Sequence, residues 1–342
     1  MHRLRCLRAG VPPRGHLPRG RSARRESARR GTSARCIRRA GPARWRPQIR
    51  KAPQSRRGQE MSAPTVGFIG AGNIGEPMVE RLLSAGSVTT VFARRPEVRS
   101  RLAERGALLA EAPEDLAGSD IVATCLFTDQ QVLDLCPPII EGMRPGSVFV
   151  SHTTGSPETI RRLDAVARRR DVSVVEAPFS GTPEAVRRTQ LTVMLAGDDA
   201  AVDVAEDTIA AYASNIIRTG RLGTALPAKL LNNALFAVCT QLTLSAIETA
   251  QSLGISEKTL LDVLAVSSGG SAAARYIAAS GKGAQAYSAN LPRYLSKDLV
   301  SVRAVAAELG ADISSLWAAA QLGPMDLTDN DTAVGQFQSS AT

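Results

Sequence analysis

Short apolar runs and helix-period stretches alternate along the first two thirds of this chain. Residues Val66–Ile69 form an apolar strand run, and Met78, Val79, Leu82 and Leu83 then recur at helical spacing up to a stop at Gly86. Residues 88–92 predict a second strand, 99–105 a helix closed by Gly106, and 121–126 a third strand after the Ser119-Asp120 turn. Further strands are predicted over Val148–Ser151, 172–176 and 191–195, with a helix over 157–169 between the first two. Strands separated by helices predict a parallel, doubly wound sheet with helices on both faces. Past Gly223 the pattern changes, and no strand is predicted there. Residues 224–253 form one long stretch in which only Lys229 and Glu248 are charged, which predicts a buried helix. Gly254 ends it, Ser256 starts another helix, 267–271 is a loop, and 297–309 is helical up to Gly310.

The turn after the first strand narrows the picture. Gly70, Gly72 and Gly75 spell G-x-G-x-x-G between a strand and a helix, with Asn73 and Ile74 at its variable positions. The first glycine permits a tight turn, the second lets the backbone approach a pyrophosphate, and the third lets helix and strand pack closely. Helix N–H groups then face the phosphates. This predicts a dinucleotide-binding α/β Rossmann domain with a parallel doubly wound sheet over 62–223, followed by an all-helical C-terminal substrate and dimerisation domain over 224–342. An NAD site wants an acid about 20 residues past the glycines, to hold the ribose. Here Ala93 stands near that place, followed by Arg94 and Arg95, whose guanidinium groups can fork onto a 2′-phosphate. The expected cofactor is therefore NADP, with NAD as the alternative.

Charge separates a third region. The net charge of +10 is made of two unlike parts. Residues 1–60 carry eighteen Arg and Lys51 against Glu26 and Glu60, or +17, and the remainder carries −7. Residues 1–61 have almost no apolar periodicity, which predicts a basic, disordered extension. Three readings stand for it: translated upstream DNA ahead of a start at Met61, a mitochondrial-type transit peptide, or a nucleic-acid arm. The first implies a cytoplasmic enzyme, the second the mitochondrial matrix. Cys125, Cys136 and Cys239 form no C-x-x-C pair, so no disulfide framework or zinc site is expected, and no metal is assigned. No run of eighteen apolar residues occurs, so no membrane span is expected.

Two places carry candidate chemistry. Lys229 lies near the start of the long apolar helix, with Asn233 four residues on. A desolvated lysine there can exchange a proton near neutral pH; a lysine snorkelling from a helix end is the alternative. Ser180-Gly181-Thr182 follows a strand, where a doubly wound sheet lines its ligand crevice; hydroxyls and glycine backbone suit a carboxylate, and an ordinary turn is the alternative. His152, the one histidine beyond residue 60, lies in a loop after a strand and reads as a polar loop residue, with contact to ligand as the alternative.

Four stretches now stand in a telling order: Gly70-Ala71-Gly72-Asn73-Ile74-Gly75-Glu76-Pro77-Met78, Glu176-Ala177-Pro178-Phe179-Ser180-Gly181, Lys229-Leu230-Leu231-Asn232-Asn233 after Gly223, and Lys297-Asp298-Leu299. Together they resemble the β-hydroxyacid dehydrogenases, the family of 3-hydroxyisobutyrate dehydrogenase, tartronate semialdehyde reductase and 6-phosphogluconate dehydrogenase relatives. The resemblance covers nearly everything after the extension. It implies Lys229 as acid/base, Ser180 and Gly181 on the substrate carboxylate and hydroxyl, and Asn233 on substrate beside Lys229. It further implies Leu126, Phe127 and Thr153 against the cofactor, and Lys297 approaching the cofactor from the helical domain. Thr182 stands where the family usually has a second glycine and Phe179 where it has valine, which reshapes the substrate pocket.

The expected activity is NADP-dependent hydride transfer to or from a small β-hydroxyacid or its semialdehyde, by a homodimer or homotetramer. The alternatives are an imine or other carbonyl reductase of the same superfamily, against which Lys229 argues, and a non-catalytic scaffold with a nucleic-acid-binding arm, against which Lys229 and the glycine turn argue together.

Overall fold

The computed structural model describes residues 64–327. The three readings of the basic extension fall outside the described residues. From Val66 to Gly220 the chain runs β1 (Val66–Ile69), α1 (Gly75–Ser84), β2 (Thr89–Phe92), α2 (Pro96–Glu104), β3 (Leu108–Leu109), β4 (Ile121–Thr124), α3 (Asp129–Gly142), β5 (Val148–Ser151), α4 (Pro157–Arg168), β6 (Ser173–Glu176), β7 (Phe179–Ser180), α5 (Pro183–Arg187), β8 (Leu191–Ala196), α6 (Asp199–Ile209) and β9 (Ala213–Gly220). The strand order is β3-β2-β1-β4-β5-β6-β8-β7, with β9 also paired to β8. Every residue of β1, β4 and β5 is buried, because helices cover both faces of this part of the sheet. The order reverses between β1 and β4, so a crevice opens at their C-terminal ends.

The sheet is parallel from β3 to β6, but it is not parallel throughout. β8 runs antiparallel to β6 and β7, and parallel to β9. Between β6 and β8 the only helix is the five-residue α5, too short to lay a crossover over the sheet. β9 was absent from the pattern because Ser214, Asn215, Arg218 and Thr219 interrupt its apolar positions, as on edge strands. The strand expected over 121–126 stops at Thr124, which leaves Leu126 and Phe127 in the loop that follows.

Among the described residues six helices follow: α7 (Ala225–Ser252), α8 (Glu257–Val266), α9 (Ala272–Ser280), α10 (Ala284–Ser288), α11 (Pro292–Leu309) and α12 (Ser314–Ala320). Ser256 caps α8 by accepting from the Thr259 N–H, and Gly310 closes α11 in the left-handed conformation. α11 starts five residues earlier than the pattern predicts, because Pro292 suits a first helical turn. α9, α10 and α12 escaped the pattern: they are short and rich in alanine and serine, so their apolar period is faint. α7 is long and apolar enough to cross a membrane by length and composition alone. Its buried residues Leu226, Leu230, Ala234 and Ile247 form one cluster with Ile277, Leu299 and Val302.

Candidate active site

The crevice at the sheet's switch point holds a cavity of about 250 Å³ lined by Gly70, Gly72, Arg94, Arg95, Leu126 and Phe127, among others. The glycine turn has the shape its sequence requires. Gly70 sits at φ +98°, and a Cβ there would lie 2.4 Å from the Cys125 carbonyl oxygen. A Cβ on Gly75 would lie 2.1 Å from the Gly70 carbonyl oxygen, so strand and helix meet with no room for a methyl. A Cβ on Gly72 would find nothing nearer than 4.0 Å, and α1 has no side-chain cap. Asn73 is exposed in this turn and Ile74 starts the helix. A close backbone approach at the N-terminal end of α1, two exposed arginines at the end of β2 and apolar walls fit a dinucleotide.

Loops after β4 and β5 complete the rim. Thr153 is buried, and its hydroxyl both accepts from the Leu126 N–H (3.2 Å) and donates to the Leu126 carbonyl (3.1 Å). It therefore locks the Leu126–Phe127 loop. Asp129 adds a second lock by accepting from the Ser156 N–H at 3.0 Å with both oxygens. Lys297 of α11 reaches across, donating to the carbonyls of Phe127 (3.3 Å) and Thr154 (3.4 Å), with its Nζ 4.9 Å from the Phe127 ring centre.

Lys229 stands in the second turn of α7 and is only 8% exposed. Burial holds its ammonium pKa below the usual lysine range, and the Asp298 carboxylate opposes that shift. Burial raises the Asp298 carboxyl; Asn233, Lys297 and Lys229 pull it back. Asn233 donates its side-chain N–H to Asp298 (2.5 Å), which ties α7 to α11. Snorkelling does not describe a lysine this enclosed. Asp298 was missed as a participant, although an acid beside Lys297 in a helix was a signal for it.

Ser180, Gly181 and Thr182 lie at the end of the β6–β7 segment. Gly181 adopts φ +145°, and a Cβ there would lie 2.8 Å from a Leu191 methyl. Thr182 is exposed, and its hydroxyl caps α5 by accepting from the Ala185 N–H (3.3 Å). Among the described residues no hydrogen bond joins these three to Lys229 or Asn233. Their strand is joined to α7 instead by Glu176, at the end of β6, which accepts from the Gly223 N–H at 2.7 Å. His152 corrects the expectation of a polar loop residue. It is 1% exposed, its ring lies 2.6 Å from the Ala177 carbonyl and 2.9 Å from the Tyr212 hydroxyl, and it packs edge-on to Phe179.

Comparison with known proteins agrees with this layout. A family model of the NAD-binding domain of 6-phosphogluconate dehydrogenase matches residues 65–220. A second, described as the NAD-binding of NADP-dependent 3-hydroxyisobutyrate dehydrogenase, matches residues 223–332. A probable 3-hydroxyisobutyrate dehydrogenase of Mycobacterium tuberculosis is 32% identical over 206 residues, covering 60% of this chain and 70% of the relative. An NAD-dependent L-serine dehydrogenase of Pseudomonas aeruginosa is 32% identical over 209 residues with the same coverage. The solved structure of Mycobacterium tuberculosis 3-hydroxyisobutyrate dehydrogenase with L-serine superposes with a TM-score of 0.67 at 26% identity, over 81% of this chain and 99% of that one. An imine reductase from Pseudomonas sp., at 19% identity and a TM-score of 0.54, shares the fold. Sheet, glycine turn and relatives converge: the chain belongs to the 3-hydroxyisobutyrate dehydrogenase family of NAD(P)-dependent oxidoreductases.

Proposed function

We propose that this enzyme uses NADP(H) to interconvert a small β-hydroxyacid and its semialdehyde, with Lys229 as the acid/base. The observation that carries the reading is the enclosure of Lys229, where burial lowers the ammonium pKa from the usual lysine range and so eases release of its proton. Gly70, Gly72, Asn73, Ile74 and Gly75 would hold the pyrophosphate, Leu126, Phe127 and Thr153 the nicotinamide end, and Arg94 with Arg95 the 2′-phosphate. Bound there, the cofactor supplies or accepts the hydride. Ser180 and Gly181 would hold the substrate carboxylate, with Thr182 at the pocket's edge. Asn233 would orient the substrate hydroxyl beside Lys229. In reduction the Lys229 ammonium gives a proton to the carbonyl oxygen; in oxidation the neutral amine takes the hydroxyl proton. Oxidation therefore rises, and reduction falls, as pH climbs through the lysine's lowered pKa.

L-Serine, 3-hydroxyisobutyrate and tartronate semialdehyde, each with both cofactors, form the test panel. Lys229→Ala should lower kcat by about 10²–10⁴-fold while the protein keeps its melting temperature. Lys229→Arg should fail likewise, because guanidinium does not give up its proton near neutral pH. A variant at more than half the wild-type kcat would remove Lys229 from the role. The cofactor assignment is separate: kcat/KM should favour NADP(H), and Arg94→Ala should shrink that preference. Equal or better kcat/KM with NAD(H) would overturn it.

A further inference from the structure

A helix leaves its first N–H groups without an intrahelical acceptor. In α7 they are not met by the helix's own cap. Thr224 makes no capping bond; its hydroxyl donates to the Arg221 carbonyl (2.8 Å) and pairs with the Thr219 hydroxyl (2.9 Å). The acceptor comes instead from another element. Glu176, the last residue of β6, accepts from the Gly223 N–H (2.7 Å) and the Ala225 N–H (3.4 Å) through Oε2. A carboxylate at a helix N-terminus is favoured by charge as well as by hydrogen bonding.

The same side chain is costly to keep. Glu176 is 1% exposed, and its Oε1 takes no hydrogen bond from any described residue. Burial raises its carboxyl pKa, while the N–H groups of residues 223 to 226 pull it back. A local hydroxyl or amide cap would satisfy a helix start without burying a carboxylate. What Glu176 adds is a link between elements. From β6 the chain runs directly into Phe179, Ser180 and Gly181. One turn into α7 beyond Ala225 stands Lys229. Gly223, which donates the shorter bond, adopts φ +96°, a conformation that suits glycine.

We propose that Glu176 is a positioning residue: its carboxylate fixes the first turn of α7 to the end of β6 and thereby sets the Lys229 amine against Ser180 and Gly181. The inference rests on the reading of Lys229 as acid/base. Glu176 exchanges no proton with substrate in this scheme and acts only through the placement of Lys229.

A double-mutant cycle on the full chain tests it, using whichever compound of the panel turns over fastest. Glu176→Gln keeps shape and one acceptor oxygen but loses the charge. It should lower kcat about tenfold in the wild-type background, and less than about twofold once Lys229 is alanine, because the two act as a unit. The Kd for NADPH should stay within about twofold in every variant, since the glycine turn lies on other elements. Amide hydrogen exchange over residues 223–226 should quicken in Glu176→Gln, whatever the activity. Equal losses in both backgrounds, no loss in either, or unchanged exchange would overturn the proposal. A failure of the underlying reading would look different, since Lys229→Ala alone would then retain wild-type kcat. If Glu176→Gln lacks a cooperative melt, Glu176→Asp, charged but one methylene short, replaces it in the same cycle with the same expected pattern.

Discussion

His152 illustrates how one enclosed side chain can govern the segment that leads to the proposed substrate loop. A carbonyl oxygen can only accept, so Nδ1 carries the proton toward Ala177, and Nε2 accepts from the Tyr212 hydroxyl. Burial lowers the pKa of this imidazole to about 4, only partly offset by the Ala177 bond. The ordinary value is about 6.5, so between those two pH values the unfolded chain binds a proton that the folded one refuses. Stability from this residue is complete above about pH 6.5 and is lost as pH falls toward 4. The loss should approach about 1.4 kcal/mol per pH unit within that window. Urea unfolding of wild type and His152→Leu at several pH values isolates it: the difference between the two should slope across the window. A difference that stays flat from pH 6.5 to 4 would contradict the assignment. Cys125 and Cys136 add no chemistry of this kind, because burial raises both thiols to about 12 and leaves them protonated.

At the scale of elements, the glycine turn makes the sharpest claim. Gly75→Ala must push a methyl against the Gly70 carbonyl, which is backbone and cannot swing aside. It should destabilise the protein by about 2 kcal/mol and weaken NADPH binding at least about tenfold. Gly118→Ala is the control: a Cβ there meets nothing within 4 Å, and the stability should change by less than about 0.5 kcal/mol. Scanning calorimetry and a cofactor titration would reveal whether the two variants behave alike, which would refute the steric account.

The same scale shows what could be read from sequence. β1, β4 and β5 were legible because strands buried on both faces are apolar at every position. The long helix α7 was legible by its length and near lack of charge, although Leu231, Leu235 and Leu242 leave one of its sides half exposed rather than buried. β9 was not, because β8 covers one edge only and polar residues break its apolar positions, with Arg218 turned onto Asp203 and Glu206 of α6. The antiparallel return of β8 depends on the brevity of α5, a tertiary matter that strand composition does not record. Within the site, Lys229 stood out because a lone charge in an apolar helix is conspicuous. Asp298 was marked only by its place beside Lys297, and Glu176 not at all, since nothing local reveals that an acid at a strand end will be buried against a helix from elsewhere. Thr153 is the cofactor-side hydroxyl that the resemblance implies, and its oxygen also serves the backbone of Leu126, a bond that no sequence pattern records.

Across the whole molecule, few polar contacts join the sheet to the helices. Arg161 of α4 donates to Glu308 of α11 at 2.5 Å, but both side chains are substantially exposed, so this pair is worth at most about 1 kcal/mol. Among the described residues the Lys297 bonds, the Glu176 tether and the Thr219–Thr224 hydroxyl pair also cross from one to the other. Apolar surface remains on the helical side: Leu231, Leu235 and Leu242 of α7 are each about half exposed. Burying that stripe against a second copy is the simplest use for it. Residues 61–342 should therefore scatter light as a dimer or larger at micromolar concentration, and Leu235→Asp should shift the mass toward the monomer. A wild-type protein that is monomeric there would rule the arrangement out.

The 28 residues of α7 make a rod about 42 Å long, with Lys229 near one end. Midway along it, Gln241 donates to the Ala320 and Met325 carbonyls and accepts from the Met325 N–H, which straps the C-terminal end of α12 to the rod. That short helix bears Trp317, the one tryptophan beyond residue 60, with the Arg303 guanidinium 4.9 Å from its ring centre. A tilt of the rod when substrate arrives would travel to an indole whose emission responds to its surroundings. In a protein trimmed of residues 1–60 that indole is the one tryptophan, so its emission would report any such tilt without an attached dye.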